Sequence, residues 1–176
     1  PSDPTTGAGF NLNGTSIATP IVSATAAATW NQFSFFSAWQ MRETLFTTAT
    51  DLGAIGVDSV FGHGLVNAEK AMKGPGALRQ NWDAVVNSGS FTFGNDISGV
   101  GALNKSGAGT LTLTGFNTFS GGLNVTGGEL ALANSRNTSN ASVSGSGTLS
   151  GFGSVGSLNN SSTVAVNGGN LAVNGN

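Results

Sequence analysis

The chain has 176 residues, a formal net charge of −2 and only 8% charged residues. It therefore offers no basic surface to phosphates, and we expect no nucleic-acid partner. Cysteine is absent, which excludes disulfides and thiolate metal sites. No apolar run is long enough to span a bilayer as a helix. The chain begins with Pro1 and no leader-like segment follows, so we expect it to be part of a longer precursor.

The first predicted element is a helix that follows Gly14 and contains many small residues up to Ala28. Because small side chains let neighbouring elements approach closely, we expect this helix to be buried. Pro20 is tolerated there if it lies in the first turn, where its missing N–H has no helical partner. Ser16, at the start of this helix, has two interpretations, a helix cap or a nucleophile.

Two further helices are predicted before residue 75. In the first, apolar residues recur at helical spacing: Ala38, Met41, Leu45 and Ala49. Ser37 is its expected N-cap and Gly53 its expected stop. The second is a short helix from Ala68 to Met72 that ends before Gly74 and Pro75, and a glycine-flanked turn precedes it.

From about Trp82 the pattern changes to short alternating runs bounded by Gly, Asn or Ser, which is typical of short strands with tight turns. Residues 124–132 match residues 165–173, and residues 107–111 match residues 145–149. Such a repeat predicts a β-solenoid, here a right-handed parallel β-helix. Low-complexity disorder is the alternative, and the periodic Val and Leu positions disfavour it. Five side chains are predicted to point inward: Val125, Leu130, Leu132, Val166 and Leu171.

The segment Gly14-Thr15-Ser16-Ile17-Ala18-Thr19-Pro20, continued by small residues at 23 and 24, resembles the active-serine segment of the subtilisin-like serine proteases, the subtilase family. Every specified position of that pattern is filled, while Ile21 stands where the family often carries a His outside its triad. The resemblance implies that Ser16 is the nucleophile and that its backbone N–H faces the developing oxyanion. Residues 41–53 and 61–68 resemble the late helix and the closing turn of the same domain.

The resemblance also bears on the other triad members. In this family the chain order is Asp, then His, then Ser, which argues against His63 as the base and against Asp3, Asp51 and Asp58 as the aspartate. It implies that the triad Asp and His, and an oxyanion Asn, lie on preceding sequence. Asp51, Asp58 and Glu43 match no ligand spacing, so we expect no metal and no cofactor.

The second half resembles the autotransporter-associated β-strand repeat, on the evidence of residues 104–115, 117–122 and 125–130. Residues 56–64 and 74–78 also resemble the end of the protease domain in subtilase autotransporters. These repeats belong to bacterial passenger domains. The resemblance therefore implies an extracellular or cell-surface location and a C-terminal outer-membrane barrel in the same precursor.

Together these features predict an α/β subtilisin-like catalytic domain followed by an all-β, right-handed parallel β-helix. Residues 1–75 are expected to be a mainly helical C-terminal portion of the catalytic domain, residues 76–81 a linker and residues 82–176 the β-helix. The expected function is a secreted serine endopeptidase with a Ser-His-Asp triad. Its expected partners are protein or peptide substrates and the upstream part of its own catalytic domain. The alternative is a non-catalytic structural or adhesive passenger with a degenerate protease head.

Overall fold

The computed structural model describes residues 14–175. Within them, three helices come first: α1 (Thr15–Gln32), α2 (Ala38–Thr48) and α3 (Ala68–Ala71). Eleven strands follow: β1 (Ala77–Leu78), β2 (Trp82–Val85), β3 (Ser90–Phe93), β4 (Ser98–Gly99), β5 (Leu103–Ser106), β6 (Thr110–Leu113), β7 (Phe116–Asn117), β8 (Leu123–Asn137), β9 (Ala141–Val155), β10 (Leu158–Asn160) and β11 (Thr163–Val173). No helix in this part of the chain is long and apolar enough to cross a membrane.

The strands form a β-solenoid of about five turns, as the sequence predicted for the second half. All pairings between these strands are parallel. Along one column Trp82 pairs with Leu103, Leu103 with Leu123, and Leu123 with Ala141. One turn therefore takes about 20 residues. The right hand of the solenoid stays a prediction.

Each turn has three strand faces. The first contains β2, β5 and β10, the second β3 and β6, and the third β7, with β1 and β4 as a separate parallel pair. The long strands β8 and β9 contribute to all three faces, and their mutual register shifts at the two corners between Val125 and Gly127 and between Ala133 and Ser135. These shifts mark the bends of the chain between faces.

The solenoid core consists of stacked apolar side chains, and the predicted set of inward residues is partly confirmed. Val125, Leu130 and Leu132 are buried, whereas Leu171 is half-buried against the core. Val166 lies in the same column as the buried Leu132, but it is 48% exposed. Within the described residues its strand β11 pairs with β9 alone, so a neighbouring turn covers it on one side only.

The sequence self-similarity gave a correct register for one segment and an incorrect one for the other. Thr110 pairs with Glu129 and Glu129 with Thr148, so residues 107–111 do lie two turns below residues 145–149. Val166, in contrast, pairs with Gly151 in the column of Leu132, not in the column of Val125. Turns of unequal length shift the repeat out of register.

The expected mainly helical first portion is only partly present, and the chain as a whole is mostly strand. Between α2 and α3 the backbone is a loop with two isolated antiparallel bridges, Thr50 with Leu65 and Asp58 with Gly62. The first bridge explains why α2 ends at Thr48 and not at Gly53. The Thr50 N–H and C=O both bond to Leu65 at 2.8 Å, which requires extended backbone after the helix.

The predicted cap of α2 and the predicted third helix are confirmed. Ser37 accepts a hydrogen bond from the Gln40 N–H, and the Gln40 side chain accepts one from the Ser37 N–H, which together form a capping box. α3 begins after Asn67, whose side chain accepts from the Lys70 N–H at 3.0 Å. These caps satisfy N–H groups that have no helical acceptor.

Helix α1 departs from its expected burial. Among its residues only Thr25 and Thr29 are buried, while Ile17, Ile21 and Val22 are exposed. Within the described part of the chain α1 contacts α2 and α3, and these cover one side of it. The remaining sides carry small and apolar residues facing outward.

Candidate active site

Ser16 is the second residue of α1 and its side chain is exposed. The N-cap of this helix is Gly14, and no side chain caps it. The interpretation of Ser16 as a helix cap is therefore wrong. Gly14 has φ 151°, a backbone conformation that L side chains rarely adopt, so this position favours glycine.

Ser16 lies where the first backbone amides of α1 begin. The Gly14 carbonyl accepts from the N–H groups of Ile17 and Ala18 at 3.0 and 3.1 Å. The Ser16 N–H is one of the first amides of α1 and so has no carbonyl acceptor within the helix. It lies at the positive end of the helix dipole, which favours a negative charge beside the Ser16 hydroxyl.

Pro20 lies one turn after Ser16, and the expectation that it occupies the first turn is wrong. Because α1 begins at Thr15, Pro20 is in the second turn. It lacks the N–H that would otherwise donate to the Ser16 carbonyl. The Thr19 hydroxyl donates to the preceding carbonyl, that of Thr15, at 2.7 Å.

His63 packs against an aromatic ring and makes no hydrogen bond with Ser16. Its ring stacks on Phe46, with 4.1 Å between centroids and 6° between planes. It borders a cavity of about 230 Å³ together with Val22, Leu45 and Val66. This arrangement agrees with a turn residue that packs against α2.

Asp51 and Asp58 stabilise the loop between α2 and α3. Asp51 accepts from the Gly56 N–H at 2.8 Å. Asp58 accepts from the N–H groups of Val60 and Phe61 at 2.8 and 2.7 Å, and these bonds hold the pKa of its carboxyl below the usual value. Neither carboxylate bonds to Ser16 or His63, and Asp3 lies outside the described residues.

Glu43, the third acidic residue weighed as a metal ligand, is buried and paired. Its carboxylate accepts from the Arg79 guanidinium, with N–O distances of 2.6 and 2.7 Å. Arg79 lies after β1, so this ion pair connects α2 to the first turn of the solenoid. No local sequence pattern indicates this contact, because the two residues are 36 positions apart.

Comparison with known proteins finds matches to two separate parts of the chain. Residues 1–64 match the subtilase family, and residues 103–132 match the passenger-associated-transport-repeat. The first match includes Ser16 and His63. The second covers β5, β6, β7 and most of β8, which lie at the centre of the solenoid.

Three relatives match the chain over different lengths. The neisserial autotransporter lipoprotein NalP of Neisseria meningitidis serogroup B is 40% identical over 160 residues, which is 88% of this chain and 15% of the relative. An extracellular serine protease of Serratia marcescens is 37% identical over 185 residues, covering 84% of this chain and 18% of the relative. Subtilisin BL of Lederbergia lenta is 44% identical over 63 residues, which is 36% of this chain and 22% of the relative.

The fold and these matches define a subtilase segment joined to a passenger solenoid. The chain therefore belongs to the subtilase autotransporters. Passenger sequence is the exported part of an autotransporter, so the chain is extracellular or at the cell surface. It spans less than a fifth of the length of NalP and of the Serratia marcescens protease, although each of them matches most of this chain.

Proposed function

We propose that Ser16 is the nucleophile of a secreted serine endopeptidase that hydrolyses protein substrates through an acyl-enzyme. One observation carries the proposal. Ser16 is exposed at the second position of a helix whose N-cap is a glycine in a conformation that favours glycine. A hydroxyl there lies beside the first backbone N–H groups of the helix, which have no acceptor within it, and such donors can stabilise an oxyanion. Relatives named serine proteases support the same chemistry.

A triad needs a base to remove the Ser16 proton and a carboxylate to orient that base. Asp51 and Asp58 are committed to a loop, and His63 is stacked on Phe46. In the subtilase family the chain order is Asp, then His, then Ser, so we assign the triad His and Asp, and the family's oxyanion Asn, to sequence preceding this chain. Each would reach Ser16 through folding of the complete catalytic domain.

The exposed surface of α1 supports an intramolecular partner for this helix. Ile17, Ile21 and Val22 face outward together with small residues, and such a surface allows close approach of another element. We assign it to the upstream part of the catalytic domain, which would complete an α/β subtilisin-like fold. Residues 1–75 then form the C-terminal portion of that domain, residues 76–81 a connection and residues 82–176 the passenger solenoid.

The partners follow from this assignment. Substrates are proteins or peptides, and the precursor carries a C-terminal translocator, as in autotransporters generally. The stacked turns of the solenoid favour one alternative, a structural or adhesive passenger whose protease head is inactive. The two functions differ in whether Ser16 is needed for turnover.

The experiment replaces Ser16 by Ala in the full-length protein and measures hydrolysis of a casein or peptide substrate. We expect turnover to fall by about 10⁶, the magnitude known for subtilisin. Ser37→Ala is the matched control, because Ser37 also begins a helix but serves as its cap. It should lower the free energy of unfolding by about 1 kcal/mol and leave turnover nearly unchanged. Equal turnover in the Ser16→Ala and wild-type proteins would favour the structural alternative.

A further inference from the structure

The helical segment and the solenoid share one hydrophobic core. Phe33 and Phe36, in the turn between α1 and α2, are 0% and 3% exposed. They belong to the same buried cluster as Trp82 and Phe93 of the first solenoid turn. The turn between the two helices thus covers the end of the solenoid, where the core would otherwise be open because no further strand stacks on it.

Aromatic contacts define this closure, which we call the aromatic junction: Phe33, Phe36, Trp82 and Phe93. The rings of Phe33 and Phe36 stack with centroids 4.8 Å apart. Phe33 meets Phe93 edge-on at 5.5 Å, and Phe36 meets Trp82 edge-on at 5.3 Å. Edge-to-face and stacked pairs of this kind prefer defined geometries, so the junction resists sliding of one unit on the other.

Polar contacts fix the same interface in a second direction. The Gln40 side chain donates to the Asp83 carbonyl of β2 at 3.0 Å. The buried Glu43 carboxylate is paired with Arg79. Two hydrogen bonds from the Asn95 side chain reach the carbonyls of Lys70 and Gly74 at 2.8 and 2.7 Å. Both α2 and the end of α3 are therefore tied to the solenoid.

Helix α1 is connected directly to this junction. Phe33 is its C-cap, and the Phe33 N–H bonds to the Thr29 carbonyl at 2.9 Å. The Trp30 indole N–H donates to the Phe36 carbonyl at 2.9 Å, which closes the turn. Because a helix rises about 1.5 Å per residue, Ser16 lies about 25 Å from Phe33 at the other end of a stiff rod.

We propose that the first turn of the solenoid is a positioning element for Ser16. Phe33 and Phe36 dock on Trp82 and Phe93, and this contact fixes the axis of α1. This role rests on the proposed function of Ser16. A small change in the tilt of α1 at Phe33 displaces Ser16 most, because Ser16 lies at the far end of the helix. Misplacement of a reacting group by about 1 Å can lower a rate by about 10²-fold.

The test compares a junction variant with a remote core variant in the full-length protein. Phe93→Ala removes the ring that contacts Phe33. Leu149→Ala, at a fully buried site of β9, creates a comparable cavity three turns away from β3. Active sites are first counted by titration with a fluorophosphonate, and kcat and KM are then measured per active site. This count separates misplacement of Ser16 from a smaller folded fraction.

We expect Phe93→Ala to lower kcat per active site by about tenfold or more, with KM nearly unchanged, and Leu149→Ala to leave kcat per site at the wild-type value. Phe93→Leu keeps an apolar side chain and should show a smaller loss in the same direction. If Phe93→Ala does not fold, the kcat per active site of Phe93→Leu tests the positioning role. Wild-type kcat per site in the folded Phe93 variants would overturn the positioning role and leave Ser16 as nucleophile. A wild-type protein that takes up no label at Ser16 would overturn the proposed function and the positioning role together.

Discussion

At the scale of single residues, Ser16 and Ser37 show how two serines near helix starts differ. Ser37 has extended backbone outside α2, and its hydroxyl accepts from the Gln40 N–H. Ser16 is already inside α1, where Gly14 holds the N-cap position. The Ser37 hydroxyl thus satisfies a backbone group, whereas the Ser16 hydroxyl has no hydrogen-bond partner among residues 14–175.

His63 gives a prediction that separates packing from catalysis. His63→Ala removes the ring stacked on Phe46, and we expect it to lower the free energy of unfolding by about 1 kcal/mol. Turnover at Ser16 should stay within about twofold of wild type, because the base is assigned elsewhere. Chemical denaturation and steady-state kinetics measure the two effects. A loss of several orders of magnitude in turnover would identify His63 as the base.

Lys105 is a buried charged residue that no sequence motif marks. Its side chain is fully buried within β5. The ammonium donates to the carbonyls of Ser106, Gly107 and Gly127 at 2.9, 3.0 and 3.0 Å. Burial lowers the pKa of Lys105, and the Glu129 charge opposes this in part.

This shift predicts a pH dependence of stability. Between its lowered pKa in the folded protein and its ordinary value of 10.5, the unfolded chain binds more protons at Lys105. The free energy of unfolding therefore rises with pH across that window. As the pH rises towards 10.5, we expect urea midpoints to increase more in wild type than in Lys105→Met. The exposed Lys70→Met is the control and should keep the wild-type slope. Equal slopes in wild type and Lys105→Met would contradict this account.

At the scale of elements, the solenoid depends on its inward columns. Leu111 pairs with Leu130 and Leu130 with Leu149, so Leu130 is covered by a turn on each side. We expect Leu130→Ala to lower the free energy of unfolding by about 2–5 kcal/mol, because the cavity it leaves cannot collapse freely. Val166→Ala, at a half-exposed site, should cost about 0.5 kcal/mol or less. Urea denaturation compares them, and equal costs would show that Val166 is buried in solution.

Local sequence patterns predicted those elements whose signals are local. The cap at Ser37 was predicted and the cap at Asn67 was predictable, because each cap joins residues three positions apart. The end of α2 was not, because it depends on pairing between Thr50 and Leu65 across a loop. Val166 was misplaced for a similar reason, since the length of each turn sets the register and no local motif encodes it.

At the scale of the molecule, the sequence showed that the two parts of the chain resemble two families, but it did not predict how the two parts pack together. Phe33, Phe35 and Phe36 fall within four residues, a density of aromatic side chains that signals a buried cluster. That signal was available, but its partners Trp82 and Phe93 lie about 50 residues away. The candidate site was predictable at Ser16, where the motif is contiguous. The burial of α1 was not, because it depends on what packs against the helix.

The central claim is that Ser16 is an activated nucleophile, and a covalent label tests it most directly. The full-length protein is treated with a fluorophosphonate, which reacts quickly only with an activated hydroxyl. It is then digested and analysed by mass spectrometry. We predict one adduct, on the peptide that contains Gly14, Thr15 and Ser16, and its loss in Ser16→Ala. An adduct on a different serine, or undiminished labelling of the Ser16→Ala protein, would contradict the assignment.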